Sequence, residues 1–227
     1  ERPVSPELRN LPVWYAQWRR NLQSLGPTMS DSQLEASARL ATVLLCGEQS
    51  AVRIFEKEIE RQRPQATAEG LRQLRYIARD EHLHETALRA FCGYLPTADD
   101  QHRLKRRAQR FFAGLGRVES LAGHFGQIAQ LDSAVCKIMW HLERGALRST
   151  SPLRLLASRI KLDEARHVSV SRRYASALGL DVRTRAEESG QVRAGLVEML
   201  QPVGSAFEQL GVDSDRLFAD LRRQRRA

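Results

Sequence analysis

The chain has 227 residues, of which 42% are hydrophobic and 28% charged, and a formal net charge of +9. That length suits one domain with a real core, and a composition led by Ala, Leu, Arg and Glu, without long β-branched runs, favours helices. The longest apolar run, Leu40 to Cys46, is broken by Thr42 and falls far short of the ~20 residues that cross a bilayer; the opening Glu1-Arg2-Pro3 carries no secretory pattern; and Cys46, Cys92 and Cys136, without CxxC spacing, exclude a disulfide framework or a thiolate zinc site.

A cytoplasmic location without membrane attachment is therefore expected. Residues 1–29 read as an N-terminal extension punctuated by Pro3, Pro6, Pro12 and Pro27, with Trp14, Tyr15 and Trp18 placed to pack a short helix onto the rest. Ser30-Asp31-Ser32-Gln33 is a capping box, and the helix that it opens runs to about Gln62, before Pro64. A second long helix runs from about Thr67 to Cys92 and ends at Gly93. A polar, basic crossover helix spans about Ala98 to Leu115. A third long helix covers about Val118 to Arg148. Ser151 as N-cap and Pro152 at the first helical position open the fourth, which runs to about Leu178 and stops at Gly179. Residues 179–227 read as two shorter helices broken by Pro202 and Gly211. The expected fold is all-α: a four-helix bundle over 30–178, with a crossover helix and a C-terminal helical extension.

Two basic clusters, Arg103-Leu104-Lys105-Arg106-Arg107 and Arg222-Arg223-Gln224-Arg225-Arg226, suit an anionic partner such as a nucleic acid, an acidic carrier protein or a phosphorylated substrate. The competing reading is a solvated helix face and a frayed tail. The lack of interleaved aromatic residues favours it.

The chain also repeats itself. Ser50-Ala51-Val52 and Glu60-Arg61 match Ser133-Ala134-Val135 and Glu143-Arg144. Ile77, Asp80, Glu81, His84, Arg89 and Phe91 match Ile160, Asp163, Glu164, His167, Arg172 and Tyr174. Both matches are gapless at one offset, 164 − 81 = 83 residues, as a duplicated helical hairpin requires.

The repeat carries chemistry. In Glu81-x-x-His84 and Glu164-x-x-His167 a carboxylate and an imidazole share one helix face about a turn apart, a spacing that suits two ligands of one metal ion. Both pairs interrupt apolar stripes: Leu74, Ile77, Glu81, His84, Leu88 and Phe91 on the second long helix, and Leu153, Leu156, Ile160, Glu164 and His167 on the fourth. A buried, unpaired carboxylate is costly, and a dication removes that cost. Glu48 interrupts the stripe of the first long helix and lies level with Glu81 when the two helices run antiparallel. On the third, Asp132 lies nearly level with Glu164, and Glu143 is the rival ligand, placed closer to the turn. The expected metal ligands are thus Glu48, Glu81, His84, Asp132, Glu164 and His167. Metal-bound histidines donate their other N–H to an acceptor, so Asp163 is expected to support His84 and Asp80 to support His167. His82 and His141 are read as surface or supporting groups. Trp140, Tyr76 and Tyr174 are read as core, ahead of any radical role, and Cys46 and Cys136 as small buried hydrophobes.

This pattern over about 31–178 resembles the ferritin-like diiron-carboxylate superfamily. The doubled Asp-Glu-x-x-His form looks most like its oxygen-activating branch, which includes ribonucleotide reductase small subunits, multicomponent monooxygenases, acyl-carrier desaturases and arylamine N-oxygenases. Aspartate at 132 departs from the glutamate usual there. The resemblance implies two iron ions, with manganese or a mixed Mn/Fe pair satisfying the same ligands. It further implies an enzyme that activates O2 to hydroxylate or N-oxygenate a small or carrier-bound organic substrate. Its partners would be an external electron donor and a second copy of the chain in a homodimer. The alternative is a ferroxidase or a rubrerythrin-like iron- or peroxide-handling protein without an organic substrate.

Overall fold

Helix ends in this chain are written largely by local side-chain chemistry. The computed structural model describes residues 12–23, 28–64, 66–115 and 120–223, excepting the side chains of 182–188. Its helices are α1 (Val13–Leu22), α2 (Asp31–Gln62), α3 (Ala68–Cys92), α4 (Gln101–Leu115), α5 (Leu121–Glu143), α6 (Pro152–Ala177), α7 (Val182–Leu200), α8 (Gly204–Gln209) and α9 (Ser214–Arg222), with a 3-10 turn at Gln201–Val203. No strand occurs among the described residues. The capping box at Ser30 forms in both directions: Gln33 N–H donates to Ser30 Oγ at 3.3 Å, and Ser30 N–H donates to Gln33 Oε1 at 3.1 Å. Thr67 caps α3 by accepting from Gly70 N–H at 3.1 Å.

The fold is an all-α bundle. α2 packs along α3 and α5 along α6, while α3 faces α6. α4 crosses α2 and reaches α7, which lies along α5. α1 docks through Tyr15, Trp18 and Leu22. Trp18 Nε1–H donates to the Pro152 carbonyl at 2.8 Å, and the Arg159 guanidinium lies 5.3 Å from the centre of the Trp14 ring.

Two apolar cores lie along the bundle. The larger takes Leu40, Leu44, Leu88, Phe91, Ile138, Met139, Leu156 and Ile160 together with residues of α7, α8 and α9 such as Leu200, Phe207 and Leu217. The smaller holds Phe55, Leu74, Ile77, Phe125, Ile128 and Ala175. Along each of α2, α3, α5 and α6 the expected ligands fall between these two sets, so a polar layer is sandwiched between apolar ones.

Three sequence expectations change. The third long helix stops at Glu143, five residues before Arg148. Gly145 ends it: a Cβ there would lie 2.5 Å from the Leu210 carbonyl oxygen, which accepts from Ala146 N–H at 2.9 Å. The C-terminal part forms three helices where two were expected, because Pro202 fits a 3-10 turn that joins α7 to α8. Tyr76 is 58% exposed and does not belong to the core. The end of the second basic cluster, Gln224-Arg225-Arg226, lies outside the described residues, as do Pro3, Pro6 and Pro27. No described helix is long and apolar enough to cross a membrane.

Candidate metal centre

The polar layer is built by four helices. α2 contributes Glu48, α3 Glu81 and His84, α5 Asp132, and α6 Glu164 and His167; all six are buried. Their ligand atoms form two groups, each with its members within 4.8 Å of one another. One holds Glu48, Glu81, His84 and Glu164; the other holds Asp132, Glu164 and His167.

The two imidazoles define two poles. His84 Nδ1 lies 3.4 Å from Glu48 Oε2, 3.8 Å from Glu81 Oε2 and 3.7 Å from Glu164 Oε1. His167 Nδ1 lies 3.0 Å from Glu81 Oε1 and 3.6 Å from Glu164 Oε2. Each of the two glutamates therefore turns one oxygen toward one histidine and its other oxygen toward the other histidine. Glu81 and Glu164 are placed as bridges, Glu48 as a terminal group at the His84 pole and Asp132 as a terminal group at the His167 pole.

Each histidine is held from behind. His84 Nε2–H donates to Asp163 Oδ2 at 3.2 Å, and His167 Nε2–H donates to Asp80 Oδ2 at 3.3 Å. A carboxylate only accepts, so Nε2 carries a proton, and Nδ1 of the neutral imidazole offers its lone pair to the centre. The pairs are crossed between α3 and α6. Arg159 Nε lies 2.8 Å from Asp163 Oδ2, and Arg166 pairs with Asp163 and, at 3.1 Å, with Asp80 Oδ2. One guanidinium thus touches both supporting aspartates.

The residues present fit a pair of cations. Nδ1 of His84, Nδ1 of His167 and Oδ2 of Asp132 are buried without a hydrogen-bond partner. The 3.0 Å approach of Glu81 to His167 lacks hydrogen-bond geometry. Orphaned polar atoms converging from three helices are costly unless something binds them. Four ionised carboxylates with two neutral imidazoles carry four negative charges, which two divalent ions balance. Nitrogen and oxygen donors with no thiolate suit iron, manganese or related divalent ions.

The protonation pattern without metal shows the same strain. Burial, partly offset by His84, pushes the Glu48 carboxyl up to about 8. Burial and then the neighbouring Glu164 push Asp132 well above the usual carboxylate range; burial and then Glu81 raise Glu164. Burial also works to raise Glu81, but the His167 and His84 imidazoles outweigh it and hold Glu81 low. Burial lowers both imidazoles, yet Glu48 lifts His84 and Glu164 lifts His167 well above the ordinary histidine value. The buried cluster thus holds protons where a cation would replace them. Burial, then Glu164 and Asp132, push the Cys136 thiol up to about 12, so it stays protonated beside the cluster.

The other sequence candidates lie elsewhere. Glu143, the rival of Asp132, pairs with Lys161 Nζ and accepts from Ser158 Oγ at 3.1 Å, away from the centre. His82 contacts Glu56 Oε1 at 3.0 Å, and His141 contacts Asp220 Oδ2 at 3.0 Å. Tyr174 stacks on Phe125 at 4.8 Å, and the Arg144 guanidinium lies over Trp140 at 4.3 Å. Cys46 is buried and Cys136 partly so; no cysteine is paired.

Two features were not read from the sequence. A buried pair, Glu58 Oε1 and His124 Nδ1 at 2.8 Å, ties α2 to α5. Its signal was available: Glu58 continues the stripe of Glu48 and Phe55 at helical spacing. The second is a cavity beside the polar layer, between α2 and α5, walled by apolar side chains that include Phe112 of α4 and Leu196, Met199 and Leu200 of α7. Glu48, Glu81, Asp132 and Glu164 line it as well. The chain matches no protein-family model, no curated protein and no solved structure.

Proposed function

We propose that the chain is a non-haem dimetal oxidoreductase that activates O2 and oxidises an organic substrate by hydroxylation or N-oxygenation, with two iron ions as its cofactor. On this reading it is a ferritin-like diiron-carboxylate protein of the oxygen-activating kind. The observation that carries the proposal is the doubled set of one imidazole and one terminal carboxylate, joined by two glutamates that each face both poles. When bound, a metal pair supplies the binding and reduction of O2. The chain's own residues do the rest. Glu81 and Glu164 fix the spacing of the poles. Asp163 and Asp80 keep each imidazole in the tautomer that offers Nδ1. Arg159 and Arg166 hold Asp163 ionised, and Arg166 also ties Asp80 in place.

The two sides of the layer differ. The imidazoles and their aspartates occupy the α3–α6 side; Glu48 and Asp132 occupy the α2–α5 side, where the cavity lies. That apolar space favours oxidation of an organic substrate over plain ferroxidase or peroxide chemistry, which would need a polar route for ions. Placing one oxygen atom of O2 in a substrate and reducing the other to water takes two electrons and two protons from an external donor. The donor, an acidic carrier protein at the basic face of α4, and a homodimer belong to the same proposal.

Anaerobic iron(II) reconstitution followed by metal analysis and O2 uptake tests it. Two irons per chain, with O2 consumption that an organic substrate accelerates, is the expected result. Iron well below one per chain, with manganese equally poor, would overturn the metal reading. Uptake indifferent to every organic candidate would favour the ferroxidase alternative.

A further inference from the structure

The cavity between α2 and α5 has a wall composition that constrains what enters it. Apart from Ser50, every polar residue lining it is an expected metal ligand: Glu48, Glu81, Asp132 and Glu164. No lysine, arginine or histidine lines it. With two divalent ions bound, the four carboxylates leave the layer without net charge and no lining side chain offers an anionic group a cation, while a polar group would find almost no partner. The remaining walls are Val43, Leu44, Ile54, Ile128, Val135 and their like.

The outer wall is built by close approach. Phe112 stands end-on against Gly47, where a Cβ would lie 3.2 Å from Phe112 Cζ. Its neighbour Phe111 stands against Gly195 of α7, where a Cβ would lie 3.1 Å from Phe111 Cε2. The two rings contact each other edge to face at 5.1 Å. Adjacent phenylalanines of the crossover helix thus seat on glycines of two different helices, and one of these rings closes the cavity beside Glu48. The cavity volume is about 80 Å³. A single water takes roughly 10–15 Å³ on that scale, so the space of about 80 Å³ accepts roughly five to eight carbon-sized groups and no fused ring.

We propose that this cavity is the substrate pocket, that it takes a slender, uncharged hydrocarbon portion of the substrate such as a short chain or single ring, and that Phe112, seated on Gly47, sets its bore. The proposal rests on the dimetal reading above. Phe112 is a positioning residue: it offers no ligand atom to the metal layer and acts through the shape of the pocket.

Binding to the iron(II)-loaded protein under argon tests this without turnover, using toluene, benzoate and naphthalene as probes and ligand-observed NMR with iron(II) circular dichroism as readouts. Toluene should bind and perturb the iron(II) spectrum, while benzoate and naphthalene bind at least tenfold more weakly. Phe112→Ala should bring naphthalene to within a few-fold of toluene at unchanged iron content. Ala51→Phe on one wall and Val135→Phe on the other should each weaken toluene at least tenfold; either variant that keeps two irons suffices. Benzoate binding as well as toluene, or naphthalene affinity untouched by Phe112→Ala, would overturn the proposal. If two irons bind and toluene does not, this inference fails alone. If iron does not bind, the dimetal reading fails first.

Discussion

Replacing Asp163 by Asn separates the two poles of the centre. Asp163 accepts from His84 Nε2–H at 3.2 Å and is flanked by Arg159 and Arg166. Burial would raise its carboxyl, but the His84 contact and the two guanidinium groups outweigh that and hold it below the usual range, so it is ionised at neutral pH. Asparagine keeps the shape, loses the charge and can present its NH2 to Nε2, which favours the tautomer with the proton on Nδ1. Loss of such a supporting group costs about 10–100-fold in metal affinity, or about 1.4–2.7 kcal/mol. The cost falls on the His84 pole, because His167 leans on Asp80 at 3.3 Å instead. Anaerobic titration with cobalt(II) or iron(II) should therefore show one ion weakened by that factor and the other changed by only a few-fold. Glu164→Ala, which removes a group facing both histidines, should weaken both ions. Equal weakening of the two ions in Asp163→Asn, or no change in either, would refute the assignment of Asp163 to His84.

Other expectations are as direct. Asp132→Asn should lower metal content, while Glu143→Gln should leave it at the wild-type value, since Glu143 is engaged with Lys161 and Ser158; metal analysis of the two variants decides between them. The metal-free protein should lose stability as pH rises from about 5 to 8.5. Glu48, with a folded value of about 8, takes up its proton more readily folded than unfolded, so its favourable contribution is lost as pH climbs through that value. Asp132 and Glu164 shift in the same direction, and the raised His84 and His167 stabilise at low pH and lose their contribution on deprotonation. Glu81, held low, acts oppositely but only at acid pH, below this window. Thermal denaturation should show this fall in the metal-free protein and a much flatter profile, with proton release on binding, in the loaded one. Gly211→Ala should destabilise by several kcal/mol, since φ is +75° and a Cβ would lie 2.4 Å from Ala146 Cβ. Gly179→Ala, at φ +82° in open space, should cost only about 1–2 kcal/mol; urea denaturation compares the two.

Much of the bundle is legible locally. Ser30 and Gln33 cap each other through contacts within one turn, and Thr67 does the same for α3, so the sequence alone locates both starts. The stripes of α2, α3, α5 and α6 follow helical spacing, and a charged residue inside such a stripe marks a buried polar group. The six residues of the polar layer are legible in the sequence for that reason. What stayed hidden depends on distant chain. α5 stops at Glu143 because the Leu210 carbonyl, some 65 residues on, occupies the space beside Gly145. The cavity is invisible for the same reason: its outer wall is made where Phe112 and Leu196 meet α2 and α5, and no local pattern announces that meeting. Glu58 lies on the stripe of α2, but its partner His124 stands 66 residues away on α5, and no spacing within one helix relates the two.

The crossed histidine–aspartate pairs make the two hairpins mutually dependent. His84 belongs to the first copy but leans on Asp163 of the second, and His167 leans on Asp80 of the first. Neither hairpin by itself carries a complete support for its own imidazole. This exchange is the arrangement that two identical hairpins related by a two-fold axis would present, so the single chain reproduces a symmetric dimer joined through the crossover. Arg166 then marks where the copies have parted. Its counterpart 83 residues earlier is Leu83, which is buried. One cation at the junction contacts both aspartates, and the matching position of the first hairpin is given to packing.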